Sequence, residues 1–119
     1  HDMVLAVTSH LPHLIAYNIV NTAAHLERVT NSEVIKFSAG GFRDFTRIAA
    51  SDPTVWRDIL LANREEVLKQ SLRFRHTLDA IEHVMRSGNG EALEDLIRQS
   101  ADARAAWQMS ATNKTPGAR

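Results

Sequence analysis

Apolar residues recur at helical spacing over the first two dozen positions, at Met3, Val7, Leu11, Leu14 or Ile15, Ile19 and Ala23, which predicts one helix from Met3 to Leu26. Pro12 lies inside it, and its missing N–H and ring clash predict a kink about one turn upstream, near Thr8. Thr30-Asn31-Ser32 before Glu33 offers cap residues for a short helix to about Ser38, with Gly40-Gly41 ending it in a tight turn. Phe42 to Ala50 reads as a brief helix. Ser51-Asp52-Pro53 then supplies a cap residue and a proline at the first helical position of the next element.

From Pro53 to about Arg86 neither glycine nor proline interrupts the chain, so the pattern predicts one very long helix of roughly 50 Å at ~1.5 Å per residue. Its stripe of Trp56, Leu60, Asn63, Val67, Gln70, Phe74, Leu78, Ile81 and Met85 advances by alternating threes and fours, close to the spacing of a coiled-coil seam. Gly88-Asn89-Gly90 breaks that helix. Leu93, Leu96, Ile97, Ser100, Ala103 and Trp107 mark a final amphipathic helix, and residues 110–119 read as a flexible tail. No stretch alternates with a period of two, so the fold class is all-α. A helix this long cannot bury its length against so few neighbours, and an intertwined homodimer answers that need better than a monomeric bundle with a bent long helix.

A length of 119 residues with 44% hydrophobic residues bounds the chain to one domain. Fourteen basic residues balance fourteen acidic ones, which argues against nucleic acid as a partner. With no cysteine, disulfides and thiolate metal sites are excluded, and a cytoplasmic location is compatible. No apolar run is read as reaching the ~18 residues of a membrane span. Because an apolar periodic segment follows His1-Asp2-Met3 at once, the natural amino terminus is expected upstream.

Two segments could carry chemistry. In the first, His1 to His13, the residues Asp2, Ala6, Ser9 and His13 fall at steps of four, three and four, and so share one helix face. His10 and His13 have a spacing that could hold a metal, but no third ligand is placed with them, and no metal site is assigned. By pattern alone Ser9 and His13 are satisfied polar groups beside a proline, and Asp2 is a helix-start residue. In the second segment, Gly40 to Ile59, no strand pattern precedes the paired glycines and no Gly-Lys-Ser/Thr follows them, so a phosphate loop is not indicated. Asp44 can pair with Arg47 three residues on, and Trp56 heads the seam as a core residue.

Taken together, the strings His-Asp-x3-Ala-x2-Ser-His-Leu-Pro-His, ending at His13, and Gly-Gly-Phe-Arg-Asp-x-Thr-Arg-Ile-Ala-x-Ser-Asp-Pro-x2-Trp-Arg-Asp-Ile, ending at Ile59, resemble the signature stretches of the prephenate and arogenate dehydrogenases. The resemblance covers nearly all the chain before the tail, and corresponds to that family's carboxy-terminal helical domain, here residues 1–109. It implies a homodimer whose amino-terminal Rossmann domain, absent from this chain, binds NAD or NADP. The implied reaction is oxidative decarboxylation of prephenate to 4-hydroxyphenylpyruvate, or of arogenate to tyrosine, with tyrosine as a possible feedback inhibitor. The family's catalytic histidine belongs to the Rossmann half, so none of the six histidines here is expected to be catalytic. Carried over by motif, Arg47 binds a substrate carboxylate, His13 contacts substrate or inhibitor, Trp56 walls the cleft, Asp2 approaches the neighbouring subunit's pocket, and Gly41 and Asp44 shape the loop around Arg47. A freestanding helical dimerisation or tyrosine-sensing module without catalysis is the alternative. The substrate side chain and the choice of nucleotide are not decided by these residues.

Overall fold

A computed structural model describes residues 2–25 and 40–114, with side chains through residue 110. Every element among the described residues is helical. The short helix expected over 30–38 lies outside them.

The first helix is Asp2–Ala24 in three stretches: α1 (Asp2–Leu5), a π-helical turn (Ala6–His10) and α2 (Leu11–Ala24). Pro12 explains the middle stretch, because it has no N–H to donate to the carbonyl of Thr8. The chain widens by one residue instead, and the Leu11 N–H bonds to the Ala6 carbonyl, five residues back. The expected disturbance near Thr8 therefore takes the form of a π turn. It also alters the predicted polar face: Ala6 is buried together with His10, while Asp2 is exposed.

This first helix is long and apolar enough to cross a membrane by length and composition, with a mean hydropathy of 1.3 over its best window. The expectation that no such stretch exists is thereby corrected, since one discounts His10, Pro12 and His13 too heavily when the flanking residues are strongly apolar. The helix nevertheless packs on its own chain. Ala16 on α2 is fully buried, and α2 lies against α3 (Gly40–Thr46) and the 3₁₀ turn Arg47–Ala49. Gly40 and Gly41 thus lie in a helix, where a tight turn ending the preceding helix was expected.

Helix α4 (Pro53–Ala62) starts as the sequence predicts: Asp52 is extended, and its Oδ1 accepts from the N–H groups of Thr54 at 2.9 Å and Val55 at 3.3 Å. The long helix expected from Pro53 to Arg86 is broken at Asn63, which separates α4 from α5 (Arg64–Ser87). Asn63 has φ −111° and ψ 30°, outside the helical well, although its N–H still reaches Ile59 and its carbonyl still accepts from Val67. The bonds that Asn63 itself makes as donor and acceptor both survive the break, and no glycine or proline in the sequence announces it.

By contacts the chain divides into two compact units, His1–Arg73 and Phe74–Arg119, with the boundary inside α5. In the first unit the seam is covered: Val67 and Gln70 are buried, and Trp56, Leu60 and Asn63 are half-buried. The second unit holds the remainder of α5 and α6 (Gly90–Lys114), joined through Gly88 at φ +72°. Asn89 caps α6 by accepting from the Ala92 N–H at 3.0 Å. The helix runs through Lys114, into the stretch read from sequence as tail. Here the seam is largely open: Phe74, Leu78 and Met85 are exposed, as are Ile97, Trp107 and Met109 on α6, with Trp107 at 68%. An open groove of about 720 Å³ in this unit is lined by side chains such as His76, His83, Ala92 and Leu96.

Candidate functional site

The two motif segments meet in the first unit. His13, one turn into α2, lies flat on Trp56 from the first turn of α4, with ring centroids 3.6 Å apart and planes 14° from parallel. His10 stands nearly perpendicular to the same indole, with ring centroids 6.0 Å apart and planes at 83°. Tyr17, one turn after His13, tilts against the His13 ring at 6.3 Å and 60°. Four rings from two helices thus form one aromatic wall.

A backbone acceptor beside His13 and a side-chain donor beside His10 set the hydrogen positions on the two imidazoles. His13 Nδ1 is 2.8 Å from the Ser9 carbonyl oxygen, which can only accept, so Nδ1 carries the hydrogen and, in the neutral ring, Nε2 is an acceptor. His10 has the opposite arrangement. The Asn63 amide nitrogen lies 3.2 Å from His10 Nδ1 and 2.9 Å from the Asp2 carbonyl oxygen. That carbonyl identifies the amide group as the donor, so His10 Nδ1 is bare and Nε2 holds the hydrogen.

Beyond Trp56 and Tyr17 lies a cleft of about 340 Å³ bounded by Val20, Pro53 and Leu60, with Ser51 and Arg57 at its polar margin. The Tyr17 hydroxyl is buried and has no hydrogen-bond partner among the described residues. Arg57 is drawn to Asp58 at 2.9 Å, an exposed pair of small energetic weight. Ser51 Oγ donates to the Ile48 carbonyl and holds the turn between the 3₁₀ segment and α4.

Of the six site residues expected from sequence, the structure brings His13 and Trp56 into direct contact. Arg47 opens the 3₁₀ turn with an exposed side chain, and it forms no ion pair with Asp44. Gly41 and Asp44 are exposed in α3, Asp44 within the brief helix expected there and Gly41 where a tight turn was expected. A Cβ at Gly41 would meet nothing within 4 Å, so packing inside the described residues does not require glycine there. Asp2 lies at a separate polar cleft of about 300 Å³ with Asn63, Arg64 and Glu65, and its backbone carbonyl makes the described contact. Tyr17 and Asn63 were not among the expected site residues. Tyr17 was legible as the position four beyond His13 on one helix; Asn63 carried no signal beyond being a polar residue in an apolar seam.

The family described as "Prephenate dehydrogenase, dimerization domain" matches residues 1–99. The chain belongs to this family. The dimerization domain found here is 40% identical over 106 residues to a cyclohexadienyl dehydrogenase of Zymomonas mobilis, covering 89% of this chain and 36% of the relative. It is 38% identical over 104 residues to a prephenate dehydrogenase of Bacillus subtilis, covering 87% of this chain and 28% of that one. Among solved structures it resembles prephenate dehydrogenase from A. aeolicus in complex with hydroxyphenyl propionate and NAD+, with TM-score 0.80, 38% identity and coverage of 89% and 37%. It shares the fold of Synechocystis arogenate dehydrogenase at TM-score 0.82, 22% identity and coverage of 90% and 39%. The dimerization domain spans about a third of the length of the curated relatives it matches, and the all-α architecture and the two-motif resemblance agree with these matches.

Proposed function

We propose that this chain is the substrate-binding and dimerising part of an NAD(P)-dependent prephenate or arogenate dehydrogenase. The contact between His13 and Trp56 carries this reading, because it unites one residue from each motif segment in a single wall beside a cleft. In that reaction a hydride leaves the cyclohexadienyl ring for the nicotinamide, and the ring carboxylate departs as carbon dioxide as the ring becomes aromatic. Trp56 offers an apolar wall to the ring. His13, with Nδ1 engaged by Ser9, offers Nε2 as an acceptor to a substrate hydroxyl or ammonium group. Arg47, exposed on its 3₁₀ turn, provides a planar fork suited to a carboxylate. Gly41 and Asp44 lie on the helix leading into that turn, and Asp2 is assigned to the pocket of the neighbouring subunit.

No dinucleotide-binding fingerprint is found in the sequence or among the described residues. The paired glycines open a helix, no strand precedes them among the described residues, and no Gly-x-Gly-x-x-Gly string occurs in the sequence. Nicotinamide chemistry is therefore assigned to another part of the protein. Dimerisation rests on the apolar seam that Phe74, Leu78 and Met85 leave open in the single chain. A cytoplasmic location and inhibition by tyrosine at the same wall belong to this reading.

The test is NAD(P)H formation by the complete protein with prephenate and with arogenate. Turnover of one or both is expected, and none from residues 1–119 alone. Failure of the complete protein with both substrates, together with tyrosine binding, would replace this reading with the sensing module.

A further inference from the structure

We propose that Asn63 is a positioning residue for the aromatic wall, acting through the tautomer of His10; this rests on the dehydrogenase reading above. The break at Asn63 between α4 and α5 supplies no backbone bond that an unbroken helix would lack. Its consequence lies in the side chain. One amide nitrogen with two hydrogens reaches two acceptors, the Asp2 carbonyl at 2.9 Å and His10 Nδ1 at 3.2 Å, so its donor capacity is fully used. Those acceptors lie 61 and 53 residues away in sequence, so the amide ties the start of α1 and the π turn to the junction of α4 and α5.

His10 is 9% exposed and stands nearly perpendicular to the Trp56 ring whose flat contact is His13. The bond from Asn63 to Nδ1 fixes which His10 nitrogen bears the hydrogen and holds the rotation of the ring beside the indole. Donation from Asn63 therefore sets His10, His10 sets the lateral position of Trp56, and Trp56 sets the plane on which His13 rests. Asn63 itself need touch no substrate. Its loss is expected to act on binding common to ground and transition states, raising KM while leaving kcat nearly unchanged.

Asn63→Asp in the complete enzyme tests this, because a carboxylate of the same shape removes both donors and presents acceptors to His10 Nδ1 and the Asp2 carbonyl. The tautomer is read from the ring nitrogen shifts of ¹⁵N-histidine-labelled protein, with His10→Gln assigning the His10 signals. The expected result is transfer of the His10 hydrogen to Nδ1, or gain of a second proton so that both nitrogens carry one, with substrate KM raised about fivefold or more and kcat within about twofold. Asn63→Ser, which keeps one donor, should fall between wild type and Asn63→Asp, and makes the same measurement if the aspartate variant does not fold. An unchanged tautomer overturns the proposal, as does a changed tautomer with KM within about twofold of wild type. A wild-type enzyme inactive on both prephenate and arogenate overturns the dehydrogenase reading instead. The nitrogen shifts still decide the Asn63 to His10 link in that case.

Discussion

The imidazole of His13 lies flat on the indole of Trp56 at 3.6 Å, although the two residues are held in separate helices and come from separate motif segments. Stacked aromatic pairs contribute about 0.5–1.5 kcal/mol beyond the area they bury. A double-mutant cycle with His13→Ala and Trp56→Ala should return a coupling of about that size in urea denaturation. Additive single effects would show that the contact has no energetic weight. Trp56→Phe should retain most of the stability but bind substrate less well, since the smaller ring covers less of His13.

Asp52 closes the first turn of α4 with two N–H groups on one oxygen. Asp52→Ala should lower stability by about 1 kcal/mol, and Asp52→Asn by less, because the amide oxygen still accepts. The midpoint of thermal or urea unfolding measures both. Equal losses from the two would place the effect in the charge rather than in the cap.

Arg47 is exposed on its 3₁₀ turn, and in the proposed dehydrogenase it meets the substrate carboxylate. Hydrogen bonds to charged groups contribute about 1.5–3 kcal/mol, so Arg47→Ala should raise substrate KM at least about tenfold in the complete enzyme and barely change NAD(P) affinity. Arg47→Lys should recover part of the loss, keeping the charge without the paired donors. Arg43→Ala is the comparison. A larger KM effect there than at Arg47 would move the carboxylate anchor by one helical turn.

Leu78 and Met85 are exposed along the seam of the second unit. Placing charge there by Leu78→Glu with Met85→Glu should shift the protein from dimer to monomer in sedimentation equilibrium at micromolar concentration, because an apolar interface is worth about 25 cal/mol per Å² and cannot absorb two unpaired carboxylates. Arg98→Ala, which removes only the exposed pairs to Glu94 and Asp95, should leave the dimer intact. A dimer that survives the paired charges would place the interface elsewhere.

Sequence by itself determined the elements whose causes are local. The cap at Asp52, the proline disturbance around Thr8, the stop at Gly88 and the absence of strand periodicity all follow from backbone chemistry within a few residues, and the structure follows each of them. The two motif strings also carried the family, because they name residue types at fixed spacing whatever their packing. Where a partner was long-range, only the tertiary structure could decide. Asn63 looks like one polar residue in a helical seam until the Asp2 carbonyl and His10 are brought to it, and the break there leaves no glycine or proline to read. By pattern Trp56 read as core, and only the resemblance gave it to the cleft; that His13 stacks on it and His10 stands beside it, both from another helix, came from the tertiary structure. Gly40 and Gly41 looked like a terminator because glycine is costly inside helices, by about 1 kcal/mol, yet they are exposed residues of α3, a helix that contacts α2. So small a local preference yields to tertiary contacts made elsewhere along the helix.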